Sequence, residues 1–375
     1  MSMKIERIDL YHLNLTLRVP FEFSAQVMAE REILLTTVYA EGLTGWGECP
    51  AGTEPSYSYE TAQTAWHVAT SFLIPNLLGK DLQEPEDVLG WMGRVRGHPF
   101  AKSMFDMAAW DLVAQRDGLS FAQKLAEPYP EGPRLRVETG ISIGIRPSAK
   151  ETLEVIAGYR EHGYNRIKLK IKPGHDVELA RAARAAYPEA PIMLDANSGY
   201  SLPDAAVFQA MHDLDLLMVE QPLGYDDILD HSRLRPQIQI PLCLDESIHS
   251  LGDAELAVEL QACDIINIKP FRVGGWTESR KILDLCVANG IRIWIGGMLE
   301  TGVGMAGKVA LAALPGVTLP NDIAESYERY PMELTEPFLL NREDSTITVP
   351  TGPGLGVAVD EKQLEAVTLW KETFV

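Results

Sequence analysis

The chain has 375 residues, with 33 Lys+Arg against 53 Asp+Glu and a formal net charge of −20. Hydrophobic residues at 46% and charged residues at 23% are ordinary globular usage, which excludes wholesale disorder. A surface this acidic repels phosphate backbones and anionic membranes, excluding a general nucleic-acid or lipid binder but not a small anionic substrate met by a few buried cations.

The N-terminal stretch MSMKIERIDLYHLNL carries charge inside its apolar run and alternates like a strand, so it does not read as a leader. Ile5–Leu15 and Ile33–Tyr39 read as strands, and Glu41-Gly42 as a hairpin turn into Gly45–Glu48. Helical patterns follow over Tyr59–Leu77, Pro85–Val95 and Ala101–Asp117. Pro128, Pro130, Gly132 and Pro133 form a breaker-rich linker, so a mixed α+β unit is expected over 1–130. The four cysteines (Cys49, Cys243, Cys263, Cys286) show no CxxC spacing, and no run approaches the ~18 apolar residues of a membrane span, so a cytoplasmic protein with reduced thiols is expected.

From Leu135 the pattern becomes a strand–helix alternation. Apolar runs fall at Val137–Ile143, Ile167–Ile171, Ile192–Leu194, Leu216–Val219, Leu242–Leu244, Ile265–Ile268, Ile291–Ile295 and, weakly, Val317–Leu319. Eight runs at βα-unit spacing suit a (β/α) barrel over 131–325, an α/β fold of the TIM type. Periodicity alone also permits a doubly wound sheet. The position of the polar residues favours the barrel: Lys168 and Lys170, Asp195 and Asn197, Glu220, Asp245 and Glu246, and Lys269 all sit at the C-terminal end of their runs. Barrel active sites draw on several strands at that rim, whereas an open sheet concentrates its site at one switch point.

Lys168 and Lys170 project from one face of their strand, and their mutual repulsion with partial burial predicts that one loses its proton near neutral pH and serves as a base. Asp195, Glu220 and Asp245 end three consecutive strands, each 25 residues from the last, and their tips converge on one cation. All-oxygen donors suit Mg²⁺, with Mn²⁺ the alternative. Lys269 ends the sixth strand and faces Lys170 across the mouth. The expected chemistry is removal of a proton α to a carboxylate by a lysine on either face, the charge being stabilised as an enediolate.

The stretches RIKLKIKPG (166–174), LDAN (194–197), EQPL (220–223), PLCLDES (241–247), RVGG (272–275) and GGMLETG (296–302) resemble the enolase superfamily, in its muconate-lactonizing-like subgroup. MAAWDL (107–112) and GPGLGV (352–357) fit as well, and the chain is most similar to the o-succinylbenzoate synthase / N-succinylamino acid racemase family. The resemblance implies an enolase-like modified barrel with a capping domain from 1–130, completed by 326–375. It implies Lys170 and Lys269 as the acid–base pair, Lys168 as charge beside the substrate carboxylate, and Asp195, Glu220 and Asp245 as ligands of the metal. Asn197 would support Lys168 or those ligands; Ser142, Gly297 and Met298 would line the pocket. A mobile loop, Arg18–Glu30, would close over the substrate with Phe21 and Phe23. The substrate would be a small carboxylate and the enzyme a homo-oligomer. Phe271 and His175 depart from the family pattern at positions expected to affect the pocket.

Gly302-Val303-Gly304-Met305-Ala306-Gly307-Lys308 matches GxGxxG, but its late position and Val309 in place of the P-loop hydroxyl favour small residues packing a helix on the barrel. Dipeptide epimerases resemble the chain too, yet are expected to carry Asp-x-Asp near strand eight, where this chain has Asp322 and Ala324; a muconate-type cycloisomerase is a further alternative. No His follows His249, which disfavours a mandelate-racemase-like site. A non-catalytic barrel that only binds a ligand is the alternative of a different class.

Overall fold

The computed structural model describes residues 2–22 and 27–375. The N-terminal sheet is antiparallel, built on Met3–Glu22, Val27–Ala40 and Leu43–Cys49. Glu41 (φ 48°) and Gly42 (φ 80°) make the expected two-residue turn between Ala40 and Leu43, both left-handed as a primed hairpin turn requires. The first two strands run further than their apolar alternation. Within the segment read as a loop over Arg18–Glu30, Phe21 pairs with Met28 and Glu22 with Val27, while the register breaks between Thr16 and Phe21. Residues 18–20 are exposed there, which removes the alternation that marks a strand. Phe23 lies outside the described residues.

The strand Thr368–Phe374 pairs antiparallel with Met3–Glu22, so both ends of the chain share one sheet. The buried helix Pro99–Arg116 lies against Leu43–Cys49. Gly47 and Gly45 permit that approach, because a Cβ on either would collide with the carbonyl oxygen of Met104 or Ala108.

A seven-stranded parallel sheet follows in sequence order: Gly140–Ile143, Arg166–Lys170, Ile192–Asp195, Met218–Glu220, Leu242–Leu244, Ile265–Ile268 and Arg292–Ile295. The run Val137–Ile143 is two strands rather than one, since Arg136–Glu138 pairs antiparallel with Thr346–Thr348. The eighth run is not a regular strand, yet it closes the ring by hydrogen bonds. Thr318 N and Leu319 N reach Ile293 O, Asp322 N reaches Ile295 O, and Gly140 N reaches Asn321 O. The result is a modified TIM barrel beside an antiparallel sheet. Among the described residues no helix is long and apolar enough to cross a membrane.

Side-chain alternation sorts the barrel into layers. Ile167, Leu169, Leu194, Val219 and Leu244 join the main core, which extends to the surrounding helices. Met193, Met218 and Cys243, each two residues before a charged tip, form with Ile265 and Trp294 a separate buried cluster that plugs the ring. The same alternation carries Asp195, Glu220 and Asp245 inward above that plug.

The glycine-rich segment is a packing device, as its position suggested. Helix Gly302–Ala312 is buried along its whole length, and a Cβ on Gly307 would lie 2.6 Å from the ring of buried Trp276. Gly307→Ala is expected to destabilise the fold by about 1–3 kcal/mol through overpacking, read as a lowered Tm with the far-ultraviolet spectrum retained.

Candidate active site

Three acids line the barrel mouth, all fully buried: Asp195, Glu220 and Asp245. In the parallel register Lys170 pairs with Asp195 and Asp195 with Glu220, and Cys243, two residues before Asp245, pairs with Glu220. Lys168 Nζ lies 2.7 Å from Asp195 Oδ2 and 2.6 Å from Glu220 Oε2. Lys170 Nζ lies 2.7 Å from Asp195 Oδ2, and Lys269 Nζ 2.8 Å from Asp245 Oδ2. The row of acids is thus bracketed by Lys170 at one end and Lys269 at the other.

Acids on the next two strands keep Lys168 charged, so of the Lys168–Lys170 pair it is not the one that loses its proton. Burial works against its ammonium, but Asp195 and Glu220 outweigh that and hold its pKa well above the ordinary lysine value. Lys269 is also raised, by Asp245 against the cost of burial. Burial opposes the charge of Asp195, yet Lys168 and Lys170 bring its pKa below the usual carboxylate range. Glu220 is pushed up to about 7 by burial and by its neighbour Asp195.

The donor chemistry fits a hard divalent cation: three buried carboxylates on neighbouring strand tips, with oxygen donors alone. Glu220 Oε1 accepts from Asn267 Nδ2 at 2.7 Å, while Oε2 is buried without a hydrogen bond, its contact with Lys168 being ionic only. The acids are nonetheless not drawn to one point. Among the described residues, the one set of three such ligand atoms within 4.8 Å of one another is His162, Glu325 and Glu328. The strand-tip acids are instead spaced by cations: Lys168 lies between Asp195 and Glu220, Lys170 on Asp195, and Lys269 and Arg272 on Asp245. In the other set, His162 Nε2 lies 2.6 Å from Glu325 Oε1, and Glu325 Oε2 accepts from Leu340 N.

Asn197 supports Lys170 and a ligand: its Oδ1 accepts from Lys170 Nζ at 2.6 Å, its backbone N donates to Asp195 Oδ1 at 3.0 Å, and its Nδ2 donates to Glu246 Oε1 at 2.7 Å. Asn197, Ser198 and Gln221 have φ of 40°, 63° and 38°, turning the chain sharply after the third and fourth strands. Left-handed backbone at non-glycine residues is costly and collects at functional sites. Gln221 uses the turn, its Oε1 accepting from Asp245 N at 2.9 Å.

Sequence reasoning missed the supports of Lys269. Tyr57 Oη accepts from Lys269 Nζ at 2.8 Å and from Arg272 Nη1 at 3.1 Å, and the phenol faces both oxygens of Asp245. Arg272 pairs directly with Asp245. Arg272 follows the sixth strand by four residues and was open to the same strand-end rule; Tyr57 arrives from the irregular loop 50–61, which has no period to read.

Two cavities meet these groups. One of about 190 Å³ is lined by Phe21, Ser142, Lys168, Lys170, Lys269 and Gly297, among others. The second, about 80 Å³, is lined by Phe21, Lys170, Asn197, Lys269, Gly297 and Met298, with Tyr57 and Arg31. The predicted substrate-lining residues within the described chain therefore gather around the two lysines. Phe271 and His175 line neither cavity; Phe271 packs edge-on against Trp276, 5.4 Å between ring centres. Asp322 lines the larger cavity and accepts from Ser142 Oγ at 2.8 Å, with Ala324 beside it in place of a second acid.

Behind Gly297 lies a buried ion cluster. Glu300 pairs with Lys308 and, at 2.7 Å, with Arg329, and it accepts from Met298 N at 2.7 Å. Against the cost of burial, these two cations hold its pKa down to about 2. Lys308 is lowered to about 8, because burial and the charge of Arg329 work against one carboxylate partner.

Residues 151–363 match the enolase C-terminal domain-like family, and residues 7–125 match the mandelate racemase / muconate lactonizing enzyme N-terminal domain. The chain is 42% identical over 375 residues to an o-succinylbenzoate synthase of Geobacillus kaustophilus, covering 100% of this chain and 98% of that protein. It is 42% identical over 369 residues to an N-succinylamino acid racemase of Thermus thermophilus, covering 98% of each. A crystal structure of an enolase-superfamily member from Listeria innocua superposes with a TM-score of 0.94 at 33% identity, covering 100% of this chain and 99% of that one. With both domains matched, a barrel closed over a row of buried strand-tip acids, and full-length relatives at this identity, the chain belongs to the enolase superfamily.

Proposed function

We infer that the enzyme removes the proton α to the carboxylate of a small succinyl or N-acyl acid, with Lys170 and Lys269 as the acid–base pair. The observation that carries this reading is their placement at opposite ends of the acid row, Lys170 on Asp195 and Lys269 on Asp245, beside a shared cavity. In racemisation of an N-succinyl or N-acyl amino acid, one lysine takes the α-proton and the bonding pair enters an enediolate. The other lysine, charged, returns a proton to the opposite face and regenerates the acid with inverted configuration. In synthesis of o-succinylbenzoate, Lys170 takes the α-proton and returns it to the departing hydroxyl, which leaves as water on the same face. Lys269 then stays charged beside the enediolate. The names of the 42%-identical relatives support both outcomes.

Asp195, Glu220 and Asp245 would hold Mg²⁺, or Mn²⁺, which when bound supplies positive charge to the substrate carboxylate and offsets the acids that hold Lys168 and Lys269 charged. Lys168 adds a fixed charge beside that carboxylate, and Asn197 aims Lys170. Residues 1–130 and 326–375 act as the cap over 131–325, with Phe21 helping to exclude water and Ser142, Gly297 and Met298 shaping the pocket.

The test is optical rotation of single-enantiomer N-succinyl amino acids, alongside aromatic absorbance from the hydroxylated cyclohexadiene precursor of o-succinylbenzoate, each with Mg²⁺ and after chelation. At least one signal should change with metal and stop without it; silence in both contradicts the reading. Tyr57→Phe removes the acceptor that orients Lys269, and racemisation kcat is expected to fall about tenfold, the worth of a hydrogen bond to a charged group, with KM little changed.

A further inference from the structure

We propose that Glu246 is a positioning residue for one face of the reaction: it locks the Asn197 amide so that Lys170 meets only acceptors there. This rests on the function proposed above and concerns the Lys170 side of the same site.

Glu246 is 3% exposed and follows Asp245 at the tip of the fifth barrel strand. Its turn is pinned from the fourth strand, where Gln221 Oε1 accepts from Asp245 N at 2.9 Å and from Ser247 Oγ at 3.2 Å. Glu246 Oε1 accepts from Asn197 Nδ2, and Asn197 Oδ1 accepts from Lys170 Nζ. Asp195 Oδ2, at 2.7 Å, is a second acceptor on the same amine. Glu246 Oε2 is buried without a hydrogen bond, so the carboxylate is held at the site through Oε1.

An amide can sit either way round, and the groups at its two ends select the orientation. Turned over, Asn197 would present its NH₂ group to Lys170. Against an ammonium that sets donor against donor. Against the neutral amine it would block the base, because Nδ2 would donate to the lone pair that has to take the α-proton. With Glu246 in place, turning over also sets Oδ1 against a carboxylate. The lock therefore directs the N–H groups of the neutral amine to Asp195 and Asn197. One tetrahedral position remains for the lone pair, and Lys170 lines both cavities. Lys269 is held differently, by Asp245 and the Tyr57 hydroxyl, so the lock serves one face.

The experiment measures initial α-hydrogen exchange of L- and D-N-succinylphenylalanine, separately, in D₂O by Mg²⁺-loaded wild type, Glu246→Met and Glu246→Gln. Thermal unfolding and calorimetric Mg²⁺ titration check the fold and metal binding. Glu246→Met removes the acceptor. Exchange should fall about 10- to 100-fold, in kcat rather than KM, for the enantiomer that Lys170 deprotonates, the one that still exchanges in Lys269→Ala. The other enantiomer should exchange at close to the wild-type rate, and Glu246→Gln, which keeps an oxygen acceptor, should retain most of both rates. Equal loss in both enantiomers, or loss in neither, overturns the proposal while leaving the α-proton chemistry standing. If Glu246→Met does not fold or bind Mg²⁺, Asn197→Asp with and without Glu246→Gln decides. The single change sets carboxylate against carboxylate and should silence the Lys170 face. The double change reverses the hydrogen bond and should restore part of the exchange; no restoration overturns the proposal. Absence of exchange of either enantiomer by wild type overturns both this proposal and the α-proton reading.

Discussion

Lys269→Ala is expected to lower racemisation of an N-succinyl amino acid by about 10²- to 10⁴-fold, yet to leave α-hydrogen exchange in one enantiomer. Lys170→Ala should give the mirror result, with exchange kept only in the other enantiomer. The reason is geometric. Each lysine is anchored to a different end of the acid row, Lys170 on Asp195 of the third barrel strand and Lys269 on Asp245 after the fifth. A carbon held between them presents one face to each. Exchange needs one lysine to remove a proton and return a solvent deuteron on the same face, whereas racemisation needs both. Following the α-hydrogen signal of each enantiomer in D₂O with both variants separates the cases. Loss of exchange in both enantiomers from either substitution would place the lysines on one face.

Glu300→Gln is expected to be the most destabilising single change near the site. The side chain is fully buried with Lys308 and Arg329 upon it, and losing its charge leaves two buried cations without their carboxylate. Breaking a buried pair from one side costs about 3–5 kcal/mol. The pH dependence has a definite sign. Because the folded pKa of Glu300 is depressed from 4.5 to about 2, its contribution is present above the unfolded value and lost as pH falls from 4.5 toward 2. The Tm gap between wild type and variant should be wide at pH 7 and narrow on acidification through that window. Equal Tm values at pH 7, or a gap that does not narrow, would show that the cluster does not stabilise the fold through the Glu300 charge.

The site was legible in the sequence where the chain obeys a period. Lys168, Lys170, Asp195, Glu220, Asp245 and Lys269 all end apolar runs of regular spacing, and the parallel register makes that position the barrel mouth. The eighth segment was faint because hydrogen bonds to Ile293 O, Ile295 O and Glu138 O hold it in place of a row of alternating side chains. That obscured Asp322, which lines the cavity. The segment beyond Leu17 was read as a loop because residues 18–20 are all exposed and break the alternation before Phe21 pairs with Met28. Which lysine of the Lys168–Lys170 pair stays charged could not be read locally, because the acids that hold Lys168 charged stand on the next two strands. Tyr57 and Arg272 belong to the same class, since their meeting at Lys269 exists only once the loop 50–61 lies over the barrel.

The proposed chemistry makes the hydrogen on the carbon next to the carboxylate labile. The most direct measurement is proton NMR of L- and D-N-succinyl amino acids incubated separately with the Mg²⁺-loaded enzyme in D₂O. The α-hydrogen signal should disappear from both enantiomers, with each sample ending as the same deuterated racemate. An α-hydrogen signal that persists undiminished in both, in an enzyme shown by thermal unfolding to be folded and to bind Mg²⁺, would contradict the account.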